Sequence, residues 1–225
     1  MDVRLIPGTV AAVPELVDCG RRAFANDALE HAIFPGRSPG LSESNELLEF
    51  RRQRIRKRLQ SPGWHYVLAT VDSPDSPAKI VGFAGWLAPP PPDASAADRQ
   101  MEQPSLAIDE DLPDGVDRDA YKYAGEVVDK AKKELLGMEE QRVWYLASLA
   151  VDPDYKGKGI ASKLVQWGVR KAEEAGLPAY LESSPAAVGV YRRQGFKELG
   201  KLSIIKNDES HFVMAMLRTP GSVET

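Results

Sequence analysis

The sequence predicts a single α/β domain: a mixed, mostly antiparallel, twisted sheet flanked by helices. Three stretches carry that expectation. Residues 146–161 read LASLAVDPDYKGKGIA, an apolar strand, an Asp-Pro exit turn, and a basic glycine-rich loop opening a helix. Pro178 then leads into an apolar strand over Ala179–Ser183. Behind it, Tyr191-Arg192-Arg193-Gln194-Gly195-Phe196 closes a short helix at a glycine suited to a left-handed cap.

The remaining elements follow in order. Val3–Ile6 suits a short first strand, and Pro14–Phe24 a helix with Leu16, Val17 and Phe24 apolar. Asn26–Leu41 reads as irregular. Ser44–Leu59 reads as a helix whose basic cluster (Arg51, Arg52, Arg54, Arg56, Lys57, Arg58) is a solvated face, with Leu48, Ile55 and Leu59 as the apolar stripe and Glu46 and Glu49 offsetting charge. His65–Val71 and Lys79–Trp86 are two antiparallel strands joined by a turn-rich linker. Four consecutive prolines, Pro89–Pro92, open a polar, acidic insertion over about 89–117, either a flexible segment or an ordered lid. Arg118–Leu136 is helical, and Trp144–Val151 is the central strand. Strict alternation groups Tyr145, Ala147, Leu149 and Val151 on one side and Trp144, Leu146, Ser148 and Ala150 on the other, unless a bulge shifts the register. Ser184 and Pro185 suit the N-cap and first position of a helix running to Gln194. Phe196–Ile205 and His211–Leu217 close the sheet as a hairpin around Asn207-Asp208. The domain therefore spans 1–218, with a loose tail over 219–225.

The glycine-rich loop has a physical use. A helix start leaves amides without intrahelical partners and carries partial positive charge, so Gly157–Ala161 are placed to bind phosphate oxygens. Gly157 and Gly159 admit unusual backbone angles and close approach of an anion, while Lys156 and Lys158 add full charge. Taken alone, such a loop equally describes a basic surface turn. A P-loop is excluded, since no Gly-x-x-x-x-Gly-Lys-Ser/Thr occurs.

Lys156-Gly157-Lys158-Gly159-Ile160-Ala161 resembles the Arg/Gln-x-x-Gly-x-Gly/Ala signature of the GNAT superfamily of acetyl-CoA-dependent N-acetyltransferases, and the flanking strands and the Tyr191…Gly195-Phe196 element extend the likeness. Lys156 departs from the pattern, keeping charge but losing the planar fork of donors. The resemblance implies that Lys156, Gly157, Lys158, Gly159, Ile160 and Ala161 hold the pyrophosphate of acetyl-CoA. It also implies that the central strand splays from its neighbour to admit the pantetheine arm against the main chain of Leu149, Ala150 and Val151. Tyr191, four residues before Gly-Phe, would protonate the departing thiolate; its alternative is a core tyrosine. Tyr145, Ala147 and Ser148 offer no strong base on the central strand, which leaves Glu182 on the neighbouring strand as the nearest carboxylate, with water-mediated deprotonation or a plain salt bridge as the rival readings. The acceptor would enter opposite the cofactor, between the first helices, the insertion and the last strands.

Composition fits this picture. The 225 residues are 43% hydrophobic, enough for a substantial core, and the net charge of −4 argues against nonspecific nucleic-acid binding. Cys19 stands alone, no Cys/His metal spacing appears, and no apolar stretch has the length of a membrane span, so no metal, nucleic acid or membrane partner and a cytoplasmic location are expected. The function expected is acetyl transfer from acetyl-CoA to a primary amine, of a small molecule, by direct attack in a ternary complex in a monomer or homodimer. The alternatives are a protein or peptide N-acetyltransferase and a non-catalytic acyl-CoA sensor.

Overall fold

The computed structural model describes residues 2–35, 44–73, 76–91, 93–94, 112–137 and 142–222. Most of the proline-rich insertion lies outside the described residues. The elements run β1 (Val3–Pro7), α1 (Val13–Ala23), α2 (Ala28–Ile33), α3 (Asn45–Gln60), β2 (Trp64–Ser73), β3 (Ser76–Leu87), α4 (Arg118–Leu136), β4 (Trp144–Val151), α5 (Ile160–Ala175), β5 (Ala179–Ser183), α6 (Val188–Arg192), β6 (Lys197–Ile205) and β7 (Asp208–Arg218). Helix starts follow capping chemistry where the sequence supplies it: Asp27, Ser44 and Asp117 each accept a hydrogen bond from the amide three residues on.

The strands form one sheet in the order β1-β2-β3-β4-β5-β7-β6. Every neighbouring pair is antiparallel except β4 and β5. That parallel pairing covers only Trp144↔Ala179, Tyr145↔Tyr180 and Leu146↔Leu181. Beyond it, β4 stays bonded to β3 as far as Gly82↔Val151, and β5 stays bonded to β7 as far as Ser183↔Met214. The two central strands therefore part.

A bulge lies in β4, where Gly85↔Ser148 is followed by Trp86↔Leu146, leaving Ala147 without an opposite residue. Strict alternation fails there. Trp144 and Leu146, and beyond the bulge Leu149 and Val151, all pack in the cluster formed with Ile160, Leu164, Val165, Val169 and Ala172 of α5. Ala150 packs on the other face with Leu16 and Cys19 of α1, Tyr66, Leu68 and Phe83. The sheet is covered on both faces, which is why β2 and β3 read as apolar runs. Tyr145 and Tyr180 share a cluster with Leu136 of α4, on the face opposite α5.

Three local expectations are corrected. The segment after Asn26 contains the short helix α2. Ser184 is not a helix N-cap: its carbonyl accepts from the Ala187 amide at 3.0 Å, closing an i→i+3 turn, and α6 begins only at Val188. On α3 the basic residues are not simply solvated, because Arg51, Arg54 and Arg58 lie over the rings of Phe34, Tyr121 and Trp64 at 4.7, 5.9 and 4.5 Å. Residues 219–222 are tied back through Arg218, which donates to the Gln194 and Ser222 carbonyls and pairs with Glu173 at 2.5 Å.

Helix α5 approaches the sheet closely enough that a Cβ added at Gly168 would sit 2.1 Å from Cε2 of Trp86, a side chain with no exposed surface. Gly168→Ala is expected to lower stability by about 1–3 kcal/mol through overpacking, read as an earlier urea midpoint with an unchanged slope.

Candidate active site

The parting of β4 and β5 decides which main-chain groups are exposed. The Asp152 amide donates to the Val81 carbonyl at 2.9 Å, so Asp152 and Val81 form a hydrogen-bonded pair. In an antiparallel ladder such pairs alternate with non-bonded ones. Ala150 thus turns its main-chain groups to β3, while Leu149 and Val151 turn theirs away from β3, into the gap where β5 no longer pairs. Of the three residues expected to line a pantetheine arm, these two face the gap.

The turn leaving β4 is clamped by charge. Arg22 of α1 reaches Asp152 at 3.0 Å and Asp154 at 2.7 Å, and Lys79 approaches the other Asp152 oxygen at 3.4 Å. Asp152 also accepts from the Asp154 amide at 3.0 Å. Burial would raise the Asp152 pKa; the Asp154 amide, Lys79 and Arg22 outweigh it and hold the carboxyl below its ordinary value. The same desolvation, with Asp152 nearby, pushes the Cys19 thiol up to about 11.

The glycine-rich loop follows this clamp. Gly157 and Gly159 both have φ +75°, and Gly159 forms the N-cap of α5 without a side-chain hydrogen bond. The first bond into the helix is Lys163 N–H to the Gly159 carbonyl at 3.1 Å. Among the described residues, the amides from Gly157 to Ser162 find no acceptor, and the loop from Lys156 to Gly159 is exposed. Lys158 folds back, donating to the Asp154 carbonyl at 3.1 Å with its ammonium 4.6 Å from the Tyr155 ring centre. Ile160 is buried against the sheet, whereas Ala161 is partly open. The result is a row of donors on one helix start with positive charge beside it, a geometry suited to a diphosphate.

Tyr191 sits on α6 in the same apolar cluster as Ile160 and Leu164, with Leu149 and Val151 packed against it, and meets Phe196 edge-on at 5.9 Å. Its hydroxyl bonds no described residue, and burial alone raises the phenol well above its ordinary pKa. It is neutral at working pH.

Glu182 lies on the other face, and so is not in Tyr191's cluster. Its Oε2 accepts from the Tyr145 hydroxyl at 2.8 Å, while Oε1 is buried with no hydrogen-bond partner among the described residues. Burial lifts the carboxyl to about 7, against smaller opposing contributions from Tyr145, Tyr180 and Lys132. Burial and the neighbouring Glu182 drive both phenols upward in turn. Among the described residues the Ser148 Oγ is buried without a partner too, and the Tyr180 hydroxyl, near enough to Glu182 to influence it, makes no hydrogen bond of good geometry. With the Trp144 Nε1, four such polar atoms lie on the two strands that part, where buried polar groups are ordinarily paired.

Sequence reasoning missed Tyr145, Tyr180 and Ser148 as members of this polar group. Tyr145 and Tyr180 meet only because β4 and β5 pair in parallel register, a contact between strands 35 residues apart that no local pattern announces. The Arg22–Asp152–Lys79 clamp joins three distant elements and was equally hidden. The Asp152-Pro153 exit turn was its one visible sign.

Comparison with known proteins bears on this geometry. The model of the Acetyltransferase (GNAT) family matches residues 33–196. The mycothiol acetyltransferase of Streptomyces coelicolor is 33% identical over 123 residues, covering 50% of this chain and 38% of that protein. A probable acyltransferase, SID5, of Ajellomyces capsulatus is 34% identical over 56 residues, covering 25% of this chain and 41% of its own length. The chain thus spans less than half the length of these curated relatives. Among solved structures, a histone acetyltransferase HPA2 and related acetyltransferase from Corynebacterium glutamicum aligns over 100% of both chains at 25% identity and a TM-score of 0.60. Arylalkylamine N-acetyltransferase 2 from Aedes aegypti aligns over 97% of this chain and 99% of its own, with 17% identity and a TM-score of 0.66. With most of its length matched by the family model and its sheet built in the same way, the chain belongs to the GNAT acetyltransferase family.

Proposed function

We propose that the protein moves an acetyl group from acetyl-CoA to a primary amine of a small molecule, the amine attacking directly in a ternary complex. One observation carries this reading: a gap between β4 and β5 that has unbonded main-chain groups and a donor-rich helix start on one side and a carboxyl lifted to about 7 on the other.

Acetyl-CoA supplies an activated thioester. Gly157–Ala161 would bind its diphosphate through main-chain amides, with Lys156 and Lys158 contributing charge. Leu149 and Val151 would hold the pantetheine through the main-chain groups that face the gap, and the Val151 amide would donate to the carbonyl oxygen as negative charge develops there. Glu182 accepts the proton that the ammonium of the acceptor must lose, and Tyr145 holds the carboxylate in place by its hydrogen bond. Tyr191, neutral because it is buried, donates a proton to the departing sulfur.

Substitution of Gly159 tests the cradle. A Cβ there meets nothing within 4 Å, but φ is +75°, so Gly159→Ala strains the backbone without a clash. We expect a cost of about 1–2 kcal/mol for the left-handed conformation and a roughly tenfold weaker affinity for CoA by calorimetry. Unchanged affinity would remove the loop from the site.

Tyr191→Phe is expected to lower kcat about 100-fold while CoA still binds, because the ring and its packing survive. Thiol release measured with an amine panel checks it, and full activity would reduce Tyr191 to a packing residue.

Glu182 sets the pH dependence. A base with a pKa of about 7 is active only when ionised, so kcat/KM should fall as pH drops below 7, and Glu182→Gln should abolish that limb and lower the rate by about 10²–10⁴. Stability runs the other way. The folded pKa exceeds the ordinary 4.5, so the contribution of this group is full below 4.5 and is lost as pH rises through about 7. Glu182→Gln should therefore gain stability over the parent at pH 8 and not at pH 4, measured by urea unfolding; an equal effect at both would show that the carboxyl is not raised.

A further inference from the structure

We propose that the amine acceptor carries an acidic group several bonds from its nitrogen, and that Arg58 recognises it. This rests on the acetyltransferase reading above and names the substrate class of the same site.

Arg51, Arg54 and Arg58 occupy one face of α3, at the i, i+3, i+7 spacing of a helical stripe. Arg51 is neutralised: its guanidinium meets Glu30 in two hydrogen bonds, 2.6 and 3.3 Å. Arg58 is different. Its guanidinium lies 4.5 Å above the Trp64 ring, it is half-buried, and among the described residues no carboxylate lies within ion-pair distance of it. A half-buried cation without a counter-charge leaves its donors to solvent until an anion arrives. The planar fork of donors left free above the ring suits a carboxylate.

Its position gives the anion a meaning. Trp64, Leu87, Tyr145 and Tyr180 stand opposite one another across β2, β3, β4 and β5. Arg58 covers the Trp64 end of that row and is near enough to Tyr145 to lower its phenol pKa, while the Tyr145 hydroxyl binds Glu182. Lys132 adds positive charge 4.8 Å from the Tyr145 ring centre. In a chain with a net charge of −4, Arg58 thus sets positive charge on the acceptor side of the gap. Trp64 and Tyr145 are two strand spacings apart, roughly 9–10 Å. An α-amino acid holds its amine and carboxylate too close together to reach both ends, whereas a five- or six-carbon ω-amino acid spans them.

The test compares 6-aminohexanoate with its neutral amide, 6-aminohexanamide, as acceptors for the parent protein, Arg58→Gln and Arg58→Lys. The parent should favour the acid by about tenfold or more in kcat/KM, as expected for one charge-assisted hydrogen-bonded pair. In Arg58→Gln that ratio should fall towards one through a raised KM for the acid. Arg58→Lys should keep part of the preference, and added salt should compress it. Equal use of acid and amide by the parent overturns the proposal, as does an undiminished ratio in Arg58→Gln that still binds CoA. If Arg58→Gln fails to bind CoA, the ratio in Arg58→Lys decides, and an unchanged ratio there overturns the proposal. Thiol release stimulated by no amine at all overturns the acetyltransferase reading itself, and this inference with it.

Discussion

The organisation of the molecule depends on a ladder that stops. β4 and β5 share three residue pairs and then separate, and the sheet survives because each strand keeps its other neighbour, β3 and β7 respectively. Buried main-chain groups are nearly always paired, so the unbonded edge along Leu149 and Val151 is tolerable only where something else supplies partners. Helix α5 holds the opening in place. It is drawn onto the sheet at Gly168, and its first residue, Ile160, packs in the same cluster as Leu149 and Val151 of the parting strand.

The sheet also separates the two side chains proposed for proton transfer. Tyr191 belongs to the apolar cluster under α5, and Glu182 to the face covered by α4. Groups on opposite faces of a continuous sheet would never share a substrate. Across an interrupted one they can, since the gap is a passage between the faces. The same separation keeps the environments distinct. Both groups are shifted up by burial, but the phenol stays a donor at any working pH while the carboxyl is brought to the edge of ionisation near neutrality.

What the sequence disclosed was what lies close together along the chain. The strand, turn, glycine loop and helix from Leu146 to Ala175 are consecutive, and their propensities and caps agree, so they could be read directly. The neighbourhood of Glu182 could not, because it is assembled from Tyr145 on another strand and Lys132 on a helix placed by the tertiary fold. The failure at Ser184 has a local cause. Serine followed by proline satisfies the rules for a helix start, but the same backbone closed a tighter i→i+3 turn first, and the helix was delayed to Val188. The arginines of α3 misled in another way: charge density suggested exposure, yet a guanidinium is flat enough to lie on an aromatic ring and be half-covered while still charged.

The unopposed Ala147 means that β4 does not have one inner and one outer edge throughout its length. Before it, Tyr145 is aimed at α4 and Leu146 at α5; after it, Leu149 and Val151 join Leu146 on the α5 side rather than taking Tyr145's. Grafting a regular strand of the same length into this place would turn the side chains of half the segment to the opposite face, sending either the tyrosine or the two aliphatic residues to the wrong compartment. Homologues exchanged by recombination at this strand must therefore carry the irregularity with them, and the strand behaves as an indivisible cassette.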